Sequence, residues 1–154
     1  MAPRTSPPRA SRVRAIAPPG IHRLEPDDAF IALFIAAMEA NGNVSAVEGV
    51  RAHHLIWSMN RFRDQSADQV GRHIERMRVL VGLHGANVVL DAAARAIPAR
   101  LRTSAFALAA DLLLADGKMD RSERRFLERL RTGLGLDEAE AQRITDVVLV
   151  KNKA

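Results

Sequence analysis

The segment Ala115 to Glu123 reads A-D-G-K-M-D-R-S-E, and a worn copy of it, A-N-G-N-V-S-A-V-E from Ala40 to Glu48, stands 75 positions earlier. The flanks align without a gap. Ala32 falls on Ala107, Leu33 on Leu108, Met38 on Leu113, Ala52 on Leu127, Leu55 on Leu130 and Met59 on Leu134. With four extra residues allowed between Arg61 and Ser66, Ser66 falls on Asp137, so the unit that repeats is three helices long. A chain made of two such copies is constrained to a fold in which both share one core.

Helix punctuation within the copies is legible. Pro26 is placed to open a first helix with Ala29, Phe30, Leu33, Phe34 and Ala37 on one face, and Asn41-Gly42 stops it. Four capping boxes follow: Ser45 with Glu48, Ser66 with Gln69, Asp120 with Glu123, and Asp137 with Glu140. In each, the first side chain accepts from an orphan amide of the helix start while the residue three along reaches back. Val70, Ile74, Met77 and Val81 draw one apolar stripe on a third helix, and Asn87 to Ile97 makes a short Ala-rich fourth. Pro98 opens a fifth, which is apolar nearly all round from Phe106 to Leu114 and is expected to be the most buried element. A sixth runs from about Arg121 to Gly135 and a seventh from Glu138, with Lys151 near its end to suit the helix dipole. The expected fold is all-α, a bundle of about seven helices built on a duplicated three-helix unit.

Composition fits that reading. The chain of 154 residues has no cysteine, no tyrosine and one tryptophan, so the core is Leu, Val, Ala, Ile and Met, and disulfides and thiolate metal sites are excluded. A stacking platform for single-stranded nucleic acid is hard to build from 4 % aromatics. The net charge of +5 resides in residues 1 to 24, where Arg4, Arg9, Arg12, Arg14 and Arg23 meet no acid. That Pro-, Ser- and Arg-rich leader is expected to be disordered, and residues 25 to 154 to form a neutral helical domain. No apolar run approaches the ~20 residues of a membrane span. A soluble protein of the cytoplasm is the expected setting.

On these residues, A-A-x-x-x-x-A-D-G-K-M-D-R-S-E-R-R-F-L-E-R-L from Ala109 to Leu130, the weaker A-A-M-E-A-N-G-N-V-S-A-V-E from Ala36 to Glu48, and the terminal K-N-K-A, the chain resembles the TerB-like tellurite-resistance family. The resemblance covers roughly Glu25 to Ala154. It implies a compact helical domain associated with bacterial tellurite and oxidative stress resistance. It also implies a partner of membrane and calcium-binding Ter proteins rather than an enzyme, with a metal proposed to bind acidic residues of the repeat. Carried over, those acidic positions are Asp116 and Glu123, with Asp111 before the turn. In the first copy Glu48 is kept, but Asn41 replaces the Asp and Ala36 stands where Asp111 stands.

Two readings of the turn stay open. Asp116, Gly117, Met119, Asp120 and Glu123 match positions 5, 6, 8, 9 and 12 of an EF-hand loop, but Leu112 and Leu114 occupy positions 1 and 3, so half the coordination sphere is missing. The alternative is punctuation, with Asp120 and Glu123 as a capping box, Gly117 as a C-cap and Asp116 as a turn residue. A weak Ca²⁺ or Mg²⁺ site would have to be composite, with Asp111, Asp116 and Glu123 meeting Glu39 or Glu48 across the pseudo-twofold. Asp111 lies mid-helix with no capping role, so it must face solvent, a cation, a partner or a neighbouring arginine such as Arg121 or Arg124.

Other constellations are weaker. His53, His54, His73 and His84 have no H-x-x-x-H pair or suitably spaced carboxylate for zinc. Arg121, Arg125 and Arg129 form a row with Arg124 and Arg131 nearby, which suits phosphates or an acidic partner, while Glu123 and Glu128 interleave to make a salt-bridged face. No nucleophile set, P-loop or dinucleotide fingerprint is present, so no enzyme is expected. The leading reading is a non-enzymatic interaction module of the tellurite and stress-resistance type that binds a protein through the surface around the two repeat turns, with Asp111, Asp116 and Glu123 in the contact, meets membrane only through that partner, and binds no nucleic acid. The alternative is a nucleic-acid or anionic-membrane adaptor that uses the leader and the Arg121 face.

Overall fold

The computed structural model describes residues 21, 23–40, 42 and 46–154. They form seven α-helices: α1 (Pro26–Ala40), α2 (Ala46–Ser58), α3 (Ala67–His84), α4 (Ala86–Ala96), α5 (Arg102–Leu113), α6 (Arg121–Leu134) and α7 (Glu138–Lys151). Short 3-10 turns at Asn60–Phe62 and Ala99–Leu101 precede α3 and α5. There is no strand among the described residues. Most of the leader, Asn41 and the Ser45 box lie outside them.

Local chemistry sets the helix starts. Ser66 Oγ accepts from the Gln69 amide at 3.2 Å, and Gln69 Oε1 accepts from the Ser66 amide at 2.7 Å. The same reciprocal box opens α6, where Asp120 Oδ1 accepts from Glu123 N at 2.9 Å and Asp120 N donates to Glu123 Oε2 at 2.8 Å. The box expected at α7 is only half made. Asp137 caps Ala139 N and Glu140 N, at 3.0 and 3.2 Å, but Glu140 turns away to accept from Thr103 Oγ1 at 2.9 Å. A tertiary hydroxyl on α5 has displaced the local partner.

The duplication is visible in the packing. α1 lies against α2 and α3 as α5 lies against α6 and α7, α1 and α5 meet at the centre, and α4 bridges α1, α3 and α6. The extra residues of the first copy fall at the 3-10 turn before α3, where Phe62 is fully buried. Contrary to expectation, α1 rather than α5 is the most buried helix. Every residue from Asp28 to Ala37 is inside, whereas α5 buries only six of its twelve. The reason is position: α1 touches α2, α3, α4, α5 and α6, which leaves its apolar run no solvent face.

The two repeat turns keep one backbone form. Gly42 (φ 67°) donates its amide to Glu39 O at 3.1 Å, and Gly117 (φ 75°) to Leu114 O at 3.0 Å. Positive φ is cheap only for glycine. Gly117 is not the C-cap of α5, a position taken by Leu114, but completes the turn that follows. A Cβ on Gly117 would stand 3.0 Å from the backbone oxygen of Asn152, so the end of α7 rests directly on this turn.

Candidate functional site at the second repeat turn

The end of α5, the turn after it and the end of α7 converge on Asp111. Its carboxylate, 14 % exposed, accepts at Oδ1 from Arg51 at 2.6 Å, from Lys151 Nζ at 2.5 Å and from Asn152 Nδ2 at 3.3 Å. Arg51 also donates to Asn152 Oδ1 at 3.0 Å, and Asn152 Nδ2 donates to Leu114 O at 2.9 Å. Burial disfavours the charge on Asp111, but the hydrogen bonds from Lys151, Arg51 and Asn152 outweigh it and hold the carboxyl below its ordinary range. The pairing with Arg121 or Arg124 is therefore wrong. The partners come from α2 of the first copy and from the terminal K-N-K motif, 40 to 60 residues away in sequence. At the repeat-equivalent positions stand Ala36 and Phe126, both buried, so only one half carries this charged cluster.

The remaining acidic residues are distributed as follows. Asp116 is exposed, and its Oδ1 accepts from the Lys118 amide at 2.9 Å, an Asx turn. Glu123 is 7 % exposed and closes the capping box. Within that box the Glu123 amide, then the Ser122 hydroxyl, lower the pKa of Asp120. Glu39 is exposed at the end of α1, and Glu48 is half-buried in the first turn of α2. Leu112 and Leu114, at the EF-hand ligand positions 1 and 3, are core residues, 1 % and 0 % exposed. Among the described residues, no three His, Cys, Asp or Glu side chains come together so as to hold a metal ion.

Two further groupings were not foreseen. Asp28, buried in the first turn of α1, pairs with His73 Nδ1 at 2.6 Å and Arg76 at 2.7 Å, so a carboxylate 45 residues away in sequence holds this histidine. Beside it Asp27 binds Arg61 at 2.5 Å and Gln65 at 2.7 Å. Acids in the first turn of α1 were the available signal; their partners were not. On α6, the interleaved salt-bridged face does not form as expected. Glu128 pairs with Arg131 at 2.5 Å, Arg129 takes Asp91 of α4 in a two-pronged grip at 2.7 and 2.9 Å, and Glu123 points to its cap. Arg121, Arg124 and Arg125 have no ionic partner among the described residues.

No helix of the described residues is long and apolar enough to cross a membrane. No curated protein and no solved structure matches the chain. Residues 27–146 match the family described as "Tellurite resistance protein TerB", a span that begins in the first turn of α1 and ends within α7. Since that span covers most of the chain and both repeat turns, the chain belongs to the TerB family of tellurite resistance proteins.

Proposed function

We propose that this TerB-family domain is a non-catalytic interaction module of the tellurite and stress-resistance type, working in the cytoplasm and docking a protein partner through the face shared by α2 and α7. One observation carries the reading. Val47 and Val50 on α2 and Val147 and Val150 on α7 are 70, 58, 67 and 70 % exposed, on the two helices that the Arg51–Asp111–Lys151 cluster joins. Each pair is spaced by three, so its members share a helix face. Single exposed valines need no explanation, but two such pairs on helices tied together by one charged cluster are apolar surface of the kind that partners cover. Arg51 and Lys151 beside it would favour an acidic rim on the partner.

A cation has less support. Asp111 already holds two positive side chains, while Asp116 and Glu123 accept backbone amides. The partner class is the one the family resemblance implies, a Ter-type membrane or calcium-binding protein. A photo-crosslinking residue placed at position 50 or 150 in cells is the test. One discrete protein partner should be trapped there and not from a probe at position 104 on α5, and Val50→Ser with Val150→Ser should abolish trapping by a probe at position 47. Equal trapping from all sites, or undiminished trapping in the double variant, overturns the reading.

A further inference from the structure

Arg125, one of the α6 arginines with no ionic partner among the described residues, lines a definite cleft. A cleft of about 640 Å³ lies between the start of α4 and the outer side of α6, and its polar lining is His84, Asn87, Ser122, Arg125 and Arg129. Among the described residues, no carboxylate lines it. Arg125 and Arg129 are one helical turn apart, so their guanidinium groups reach the same side. Arg129 is fixed by Asp91, which takes its Nε and one Nη and leaves the donors of the other Nη available. Arg125 is exposed and has no ionic partner among the described residues. A second hollow, on the other side of the same two arginines, contains Asp91 and Glu128 and is electrostatically mixed.

We propose that the α4–α6 cleft binds a phosphomonoester, with Arg125 and Arg129 clamping the dianionic phosphate. Two guanidinium groups offer forked donors that match phosphate oxygens; Asp91 balances the charge of Arg129, so Arg125 brings the net positive charge and Arg129 its remaining donors. The His84 ring and the Asn87 side chain line the same cleft and are the further polar groups that could reach the phosphate, the Ser122 hydroxyl being given to Asp120. The first turn of α4 lines the same wall, and its helix dipole adds positive potential without defining the site. Val88 and Phe126 give an apolar border for the organic part of the ester. The same chemistry occurs in a soluble phosphorylated metabolite and in the phosphomonoester headgroup of a lipid, and the clamp recognises the group they share. This site is independent of the α2–α7 valine face.

The test is an amide chemical-shift titration of the full chain at fixed ionic strength, first with glycerol 3-phosphate, then with vesicles of phosphatidylcholine with and without phosphatidic acid. Saturable shifts should cluster at Gly85 to Val88 and around Arg125. Arg125→Gln, at an exposed and unpaired position, should keep the wild-type fold and weaken binding about tenfold or more, the loss expected for a charge-assisted hydrogen bond. Arg121→Gln, on the same helix but outside the cleft, should change affinity by no more than about twofold, as general charge screening would. Binding of glycerol 3-phosphate that vesicles do not surpass identifies a soluble ligand. Tighter, Arg125-dependent binding to phosphatidic acid vesicles identifies a headgroup. The proposal is overturned by equal effects of the two substitutions, by shifts spread evenly over the arginines of the chain, or by failure to saturate with either probe. Loss of the valine face by Val50→Ser and Val150→Ser should leave this titration unchanged, so the two readings fail separately.

Discussion

Replacing Asp111 with Asn keeps the shape of the side chain and removes its charge, and the structure sets the size of the result. An exposed ion pair contributes at most about 1 kcal/mol, and breaking a fully buried one costs about 3–5 kcal/mol. The Asp111 cluster lies between those limits. The carboxylate is 14 % exposed, but Arg51 is 32 % and Lys151 55 % exposed, so both cations regain water once released. A loss of about 2 kcal/mol follows for Asp111→Asn, which for a domain of this size lowers Tm by about 6–8 °C. The pH dependence has a definite sign. The folded pKa is held below the ordinary 3.8, so the stabilisation is complete above that value and disappears as pH falls through the depressed folded value. Thermal unfolding of both proteins, followed by circular dichroism from pH 7 down into the acid range, should show a gap that is wide at neutrality and closes in acid. Equal Tm values at pH 7 would refute the ionic account, as would a gap undiminished in acid. If Asp111→Asn leaves Tm unchanged yet removes partner trapping at position 50, the carboxylate is a contact residue and its internal pairing is incidental.

Gly117→Val should destabilise by about 2–4 kcal/mol, because backbone strain at positive φ adds to a Cβ placed 3.0 Å from Asn152 O. Gly42→Val, which carries strain at the equivalent φ with no close contact among the described residues, should lose less, and chemical denaturation compares the two. Asp28→Asn leaves Arg76 and the His73 ring without their carboxylate on a buried helix start, and the expected loss is about 1–3 kcal/mol in urea midpoint measurements. A change below about half a kcal/mol there would mean that the pair is held together by packing alone.

How far the sequence reached depends on the range of the forces involved. The starts of α3 and α6 and both glycine turns were legible because a cap, its reciprocal partner and a positive-φ residue all act within about four residues. Ser66 with Gln69 and Asp120 with Glu123 formed as read. Glu140 departed from its box when Thr103, on α5, offered a hydroxyl that no local pattern encodes.

The duplication by itself determined the helical class, the order of elements and the equivalence of the two halves, since a repeated three-helix pattern admits few other arrangements. Packing decided what each charged residue does. Asp111 chose Arg51 and Lys151 over the nearer Arg121 and Arg124 because α5 presents it toward α2 and the end of α7. α1 took the central place, although its apolar pattern looked no stronger than that of α5, because five other helices close on it. On α6 the acids that interleave with arginines in sequence were drawn off to a cap and to Arg131, leaving Arg125, among the described residues, without an ionic partner and beside a cleft that no carboxylate lines. Spacing along a chain fixes which face of its own helix a side chain occupies; only the docking of helices distant in sequence decides which opposite charge, cavity or stretch of water that face meets.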